Sequence, residues 1–396
     1  MTDETTAVIL AAGEGRRLEP LTNRRPKPML PIADRPLLEY VLEAVADAGI
    51  DRVVFVVGYE RDRIQTHFGD GDDWGVEIEY AVQETQLGTG HAVLQAEPFV
   101  DGPFLVLNGD RIIEPSAVES VRRTLGESGE GSGSDEIAMA VSRSPTPAEY
   151  GVVTVENDLV VDLIEKPERE PPSELINAGV YGFTPDVFEA IRATPTGADG
   201  EQSITAAIAG AIDDGAVRAV RYDGLWLDVT HLWDLLSVTG RMLDRSGGGI
   251  EGSVAESATV AQAAHLAAGA RVGPNATVGR GATIADNASI GANAVVERSV
   301  IFPDATIGPG AVVRDCVVGA NATVGANATV PGGDATVIVE GNVHEDVRLG
   351  GVVGDNAHVG GGAVLAPGAI LYDEVDVAPG ASASGTVEQG TQIRRG

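Results

Sequence analysis

Val318-Gly-Ala-Asn321-Ala-Thr-Val324-Gly-Ala-Asn327-Ala-Thr-Val330 repeats itself every six residues. Read backward, the same phase runs through Val254, Val260, Leu266, Val272, Val278, Ile284, Ile290 and Val296. It shortens by one residue to Ile301, Ile307 and Val313, and again to Val318, Val324 and Val330. A second block carries Val353, Val359, Leu365, Leu371 and Val377. A period of six fits neither a helix nor a flat strand. Three such hexads close one triangular turn of a parallel β-helix, whose coils bury a shared core. Asn and Gly tolerate the left-handed corners, and a small residue such as Ala lets coils stack closely. The stretch Gly332–Gly351 breaks the phase and predicts a loop leaving the prism. The Asn-Ala-Thr/Ser sequons at 275, 287, 321 and 327 follow from the hexad and are not read as glycosylation sites.

Residues 1–245 obey other rules. Apolar strand-like runs recur at Ala7–Leu10, Val53–Val57, Glu77–Val82, Phe104–Leu107, Ile137–Val141, Gly151–Val155 and Gly179–Phe183. Leu38, Val41, Leu42 and Val45 fall at helical spacing within 37–48. Alternating strand and helix predicts an α/β, Rossmann-like, doubly wound and mostly parallel sheet. The run Gly126–Ser134 reads as a flexible surface insertion. A helix is expected over His231–Arg245, with a glycine-rich hinge at Ser246–Gly249. Two domains follow, 1–245 and 250–396.

Composition narrows the partners. The formal net charge of the 396-residue chain is −32, from 27 Lys+Arg against 59 Asp+Glu. Such a polyanion repels nucleic acid and acidic membranes. An acidic, lysine-poor surface fits a halophilic cytoplasm. Cys316 is the one cysteine, which excludes an internal disulfide. The Met-Thr-Asp-Glu start has no basic n-region, so no signal peptide is expected. No apolar run approaches the ~20 residues of a membrane span.

Only two lysines occur, Lys27 in Pro-Lys-Pro and Lys166 in Glu-Lys-Pro. Lysine supplies a compact point charge where arginine supplies a planar fork. Both sites therefore suggest phosphate, against chance survival under a composition bias. After the first strand run comes Leu10-Ala11-Ala-Gly13-Glu-Gly15-Arg-Arg17-Leu-Glu-Pro-Leu-Thr-Asn-Arg-Arg-Pro-Lys27-Pro28. A Gly-rich turn after a strand lets backbone N–H groups approach phosphate. Arg16, Arg17, Arg24, Arg25 and Lys27 crowd this segment of an otherwise acidic chain. The alternative is a solvated basic loop. It is neither a Walker loop nor a dinucleotide fingerprint. Asp110 ends one apolar run and Asp228 another. Carboxylates at the carboxyl edge of such a sheet lie where these folds bind ligands, and a pair of them suits Mg²⁺. Either alone would read as a turn or cap.

Gly-x-Gly-x-Arg-Leu-x-Pro-Leu-Thr…Pro-Lys-Pro resembles the signature of the sugar-1-phosphate nucleotidylyltransferases. The resemblance continues through Gln83–Ala92, Leu107-Asn-Gly-Asp110, Tyr150-Gly-Val-Val153, Glu165-Lys-Pro167, Asn177-Ala-Gly-Val-Tyr181 and Trp226-Leu-Asp-Val229. It implies transfer of UMP or dTMP from UTP or dTTP to a hexose 1-phosphate, with Mg²⁺ as cofactor. The anionic nucleophile needs no general base, so positioning and charge stabilisation carry catalysis. By resemblance Arg17, Lys27, Asp110 and Asp228 are catalytic, and the two aspartates hold the metal. Leu10, Ala11, Gly13, Gly15, Gln83, Gly88 and Thr89 would bind the nucleotide, with Gly88 leaving room for the base. Gly151, Glu165, Lys166 and Asn177 would bind the sugar phosphate. His91 reads as structural, and Trp226 and Trp233 as core residues.

The hexad region resembles left-handed β-helices found in acyltransferases and as tails on nucleotidylyltransferases. It could acetylate glucosamine 1-phosphate with acetyl-CoA as co-substrate, assemble a trimer or its multiples, or serve as a regulatory surface. Leu349-Gly-Gly-Val-Val-Gly-Asp355 matches a segment of the archaeal bifunctional enzymes. The Asn-Leu-Arg-x-Asp string expected before the loop is absent, and Arg348 stands where a lysine is expected. His344 is the candidate acetyltransferase base there. A non-catalytic sensor of nucleotide sugars is the remaining alternative.

Overall fold

The computed structural model describes residues 5–128, 137–197, 200–213 and 215–395. The backbone packs into two compact units. The first comprises Met1–Glu14, Pro26–Met29 and Leu37–Asp228; the second comprises Gly15–Arg25, Leu30–Pro36 and Val229–Gly396. The sequence places the division at 245–250. The packing instead groups the arginine-rich segment and the helix Leu232–Ser246 with the repeat region.

The first unit is built on a nine-stranded sheet. Its order is Glu77–Val82, Arg52–Val57, Thr6–Ala11, Phe104–Asn108, Leu175–Phe183, Ile137–Arg143, Val217–Arg221, Leu159–Glu165, Gly151–Glu156. The first four strands are parallel. Beyond them, Leu175–Phe183 runs antiparallel to both its neighbours, so the expected mostly parallel sheet is mixed in its second half. Every strand expected from the sequence forms. Two do not show there: Asp162 interrupts the largely exposed Leu159–Glu165, and Arg218 and Arg221 interrupt Val217–Arg221, so neither reads as an unbroken apolar run. The parallel half reads as continuous Val/Ile/Leu runs because both faces are covered. Ile9, Phe55, Leu105 and Leu107 pack on one side with the helix Leu37–Asp47, while Val8, Val54, Val56 and Val106 pack on the other. The helix Pro115–Ser128 continues through Gly126, so the expected insertion begins in helix; residues 129–134 of it lie outside the described residues.

The second unit is a left-handed β-helix of three parallel sheets with eight, eight and seven strands. Aligned positions stack coil on coil, for example Ile284 on Ile301 on Val318 on Val353 on Leu371. The two register shortenings are coils one residue shorter that still keep this stacking. Two residues of each hexad point inward, such as Ala276 and Val278, with Thr277 between them turned out. Asn275, Asn287, Asn321 and Asn327 sit at φ of 56°, 58°, 61° and 55°, the left-handed corners the sequence requires. The phase break forms a β-hairpin, Asp334–Val339 with Asn342–Arg348, and Val318 still stacks directly on Val353. One outer face is itself apolar and closed off: Val300, Val317, Val352 and Ile370 are each less than 5% exposed. Among the described residues no helix is long and apolar enough to cross a membrane.

Candidate active site

Two strand ends create the acidic cluster. Gly109 N–H donates to Leu10 O at 2.9 Å, and a Cβ on Gly109 would stand 2.6 Å from that oxygen. Only glycine lets the strand ends close in this way, which turns Asp110 off the edge of the sheet. The chain then forms a short ribbon in which Arg111–Ile113 pairs antiparallel with Trp226–Asp228, setting Arg111 opposite Asp228. A sequence separation of more than a hundred residues is thereby closed.

The charges at this point alternate. Lys27 Nζ is 2.6 Å from Asp110 Oδ2. Arg111 Nε lies 3.5 Å from Asp110 Oδ1 and 3.5 Å from Asp228 Oδ1, so those two oxygens are no farther apart than twice that distance. The guanidinium also lies against two rings that meet edge to face, 4.8 Å from the Trp226 centroid and 5.4 Å from that of Tyr150. Trp226, expected as core, packs partly on the core but also walls this cation and donates Nε1–H to Ala178 O at 2.9 Å. Burial by itself would raise the Asp110 carboxyl; Lys27 and Arg111 outweigh it and hold the pKa down at about 2. Burial likewise works against the Arg111 charge, and Asp228 and Asp110 overcome it, so its pKa is raised. Sequence reading missed Arg111. Its signal was present: a cation immediately after a strand-end aspartate.

These residues fit a divalent cation. The metal's ligands would be hard carboxylate oxygens; Arg111 Nε and Nη1, buried with no hydrogen-bond partner, are N–H donors and suit an anion such as phosphate and not the metal itself. Among the described residues no group of three His, Cys, Asp or Glu forms a closed metal cage. Two carboxylates with remaining positions for water and phosphate suit Mg²⁺.

The other expected nucleotide residues of this unit lie on the first strand, on loops and at a helix start of the parallel half. Ala12 O accepts Gln86 Nε2–H at 3.1 Å. Gln83 is 3% exposed; its Nε2 donates to Gly88 O at 3.2 Å and meets His91 Nδ1 at 2.9 Å, so His91 fixes the glutamine, as a structural histidine would. Gly88 has φ 97°, and a Cβ there would meet the Gln202 backbone at 2.6 Å. On the side a Cβ would occupy, the space is filled by the Gln202 backbone. Thr89 Oγ1 accepts Ile204 N–H at 3.0 Å. Leu10 and Ala11 belong to the first strand, and a Cβ on Gly13 would meet nothing within 4 Å.

The expected sugar-phosphate residues sit on the antiparallel half. Gly151 pairs with Glu165, whose Oε2 would be 3.0 Å from a Cβ at 151. Asn177 Nδ2 donates to Tyr181 Oη at 2.7 Å, and its Oδ1 accepts Gly179 N–H at 3.1 Å. Lys166 is exposed and holds φ 41°, a conformation a lysine rarely adopts, with its N–H donating to Tyr150 O at 3.1 Å. Gly15 and Arg17 belong to the second unit, where Arg17 Nε donates to Glu340 Oε2 at 2.9 Å. In that unit His344 packs against His231 and Trp233, ring centroids 4.7 and 5.1 Å away, and Trp233 is half-buried against these rings and not in the core. Burial, then His231 and Arg17, lower the His344 pKa.

Comparison with known proteins agrees with this architecture. Residues 6–245 match the Nucleotidyl transferase family and residues 260–387 match the GMPPB C-terminal domain. The chain belongs to the nucleotidyl transferase family. It is 38% identical over 255 residues to Bifunctional protein GlmU of Methanococcus maripaludis, covering 64% of this chain but only 58% of that protein. It is 37% identical over 256 residues to Low-salt glycan biosynthesis nucleotidyltransferase Agl11 of Haloferax volcanii, covering 64% of this chain and 70% of that one. In fold it resembles a crystal structure of a glucose-1-phosphate thymidylyltransferase from Bacillus anthracis described as putative, with TM-score 0.55, 24% identity, and 60% and 94% of the two chains covered.

Proposed function

We propose that the chain is a sugar-1-phosphate nucleotidylyltransferase, moving UMP or dTMP onto a hexose 1-phosphate such as glucose 1-phosphate or N-acetylglucosamine 1-phosphate. A phosphate oxygen of the sugar attacks the α-phosphorus, one P–O bond forms, and the bond to departing pyrophosphate breaks. The observation that carries this reading is the Lys27–Asp110–Arg111–Asp228 cluster, two carboxylates and two cations at the end of a parallel strand. Asp110 and Asp228 would hold Mg²⁺, which supplies charge neutralisation on the phosphates when bound. Lys27 and Arg17 would take triphosphate oxygens, the former exchanging Asp110 for substrate. Arg111 keeps the two carboxylates together. Lys166, Glu165, Asn177 and the Gly151 backbone would hold the sugar phosphate, and Gln83, Gly88 and Thr89 would frame the base.

Pyrophosphate release, measured across nucleotide and sugar-phosphate pairs with Mg²⁺ in concentrated KCl, tests the proposal. Turnover with a pyrimidine triphosphate is expected; no turnover with any pair sinks it, and leaves the non-catalytic sensor. High salt belongs in the assay because the −32 charge is read as adaptation to a halophilic cytoplasm. Acetyl transfer is a second reading, with His344, packed against His231 and Trp233 and with its pKa lowered by burial, as the candidate base. Thiol release from acetyl-CoA with glucosamine 1-phosphate, abolished by His344→Ala, would support it. Trimer assembly through the β-helix is checked by sedimentation.

A further inference from the structure

Asp355 and Asp373 occupy equivalent corners of successive coils. Both are buried, at 5% and 2% exposure, and Asp373 Oδ1 accepts Asp355 N–H at 2.9 Å. Asp355 Oδ1 accepts Ala320 N–H at 2.8 Å. Two buried carboxylates stacked one coil apart need positive partners, or the charge stays uncompensated.

The partners come from Gly15–Arg25 in the same unit. Arg25 Nη2 is 2.5 Å from Asp355 Oδ2, with the two side chains 11% and 7% exposed, and its guanidinium lies 4.7 Å from the Phe302 centroid. Arg24 Nε is 3.7 Å from Asp373 Oδ2, and Asn23 Nδ2 donates to the same oxygen at 3.3 Å. Tyr372 Oη donates to Glu19 at 3.3 Å. Leu18, Leu21 and Thr22 are buried. The segment is therefore neither a solvated basic loop nor a free phosphate cradle: its C-terminal arginines are spent on the β-helix, while Arg17 remains 44% exposed. The exposed pairs Arg17–Glu340 and Arg24–Glu374 are screened by salt, whereas the buried Arg25–Asp355 pair is screened far less.

We infer that Asp355 is a positioning residue, and that the β-helix holds the arginine segment Gly15–Arg25 in the one conformation in which it takes up a nucleoside triphosphate. The inference rests on the proposed nucleotidyl transfer for the role of Arg17. It gives the repeat region a task that needs no second catalytic centre. It also gives the aspartate of Leu349-Gly-Gly-Val-Val-Gly-Asp355 a purpose other than acetyl transfer.

The test uses the full chain carrying Asp355→Asn, Arg25→Met, or both. Trypsin cleavage after Arg16, Arg17 and Arg24, followed by mass spectrometry, reads the segment without reference to activity. Each single variant should be cut there roughly tenfold faster than the parent, as expected for losing one partner of a buried pair. The double variant should be no worse than either single. The KM for the triphosphate should rise about tenfold while that for the sugar phosphate stays constant, a split that general destabilisation would not produce. Unchanged cleavage, or a parallel rise in both KM values, overturns the inference. If the parent turns over no substrate pair, the reaction assignment fails. Cleavage then decides alone: faster cutting that UTP or dTTP no longer slows supports the inference, and unchanged cutting overturns it.

Discussion

Asp110 and Asp228 share one guanidinium nitrogen at 3.5 Å each, while Asp355 holds Arg25 at 2.5 Å and a backbone N–H at 2.8 Å. Both regions place aspartates among arginines in a chain of net charge −32. They differ in how completely the cations are satisfied. In the first unit Arg111 Nε and Nη1 are buried without a hydrogen-bond partner, and Lys27 rests on a carboxylate it could exchange for phosphate. In the second, Asp315 accepts Arg298 at 2.6 Å, Arg348 at 3.1 Å and Gly333 N–H at 3.1 Å, and of these neighbours the adjoining Arg314 alone has its Nε buried without a hydrogen-bond partner, 3.4 Å from Glu297. A buried polar group left short of partners costs free energy, so a fold tolerates it where something else uses it. On the proposed function, the first cluster is charge kept for a substrate and the second is charge consumed by the structure.

The comparison breaks most sharply at the acidic pair. Asp110→Asn or Asp228→Asn should lower kcat roughly a thousandfold at temperatures where the variant is still folded, the upper range for removing a group that stabilises transition-state charge, and should also lower the unfolding midpoint because Lys27 and Arg111 lose a partner. An equal substitution at Asp315 should lower the unfolding midpoint and spare kcat. Next in size are Lys27→Arg and Lys166→Arg, each expected to cost about a hundredfold in kcat/KM through misplacement, despite conserving charge. Near-parental rates in both would end the point-charge argument. Ile301→Ala, in the fully buried prism core, should destabilise by about 3 kcal/mol and leave turnover unchanged below the unfolding temperature. The smallest effect concerns pH. The Asp110 pKa is held down at about 2, below the ordinary carboxylate range, so the stability its charge contributes is fully present above that ordinary range and is lost progressively as pH falls from there through about 2. Lowering pH from 7 to 5 should leave the Lys27–Asp110 pair intact, which a pH series of kcat/KM and of unfolding would check.

Much of this was legible because it is local. The hexad phase is a local rule, and a left-handed corner needs Asn or Gly wherever it falls. The parallel strands announce themselves because burial on both faces demands unbroken apolar runs. The strands Leu159–Glu165 and Val217–Arg221 were hidden because exposure breaks such runs. Gly88 shows a related limit: a glycine signals that something comes close, and the sequence does not say that Gln202, more than a hundred residues later, comes close on the side a Cβ would occupy.

The sequence by itself determined two architectures, the order of the motifs, and the types of residue gathered at each. Periodicity and propensity act over a few residues, and no distant partner can change them. Only the tertiary structure decided who neutralises whom. Arg111 lies between Asp110 and Asp228, and Arg25 on Asp355, because strands and coils distant in the chain close on one another there. Charge pairing depends on separation in space and on burial, and neither is written in the order of residues.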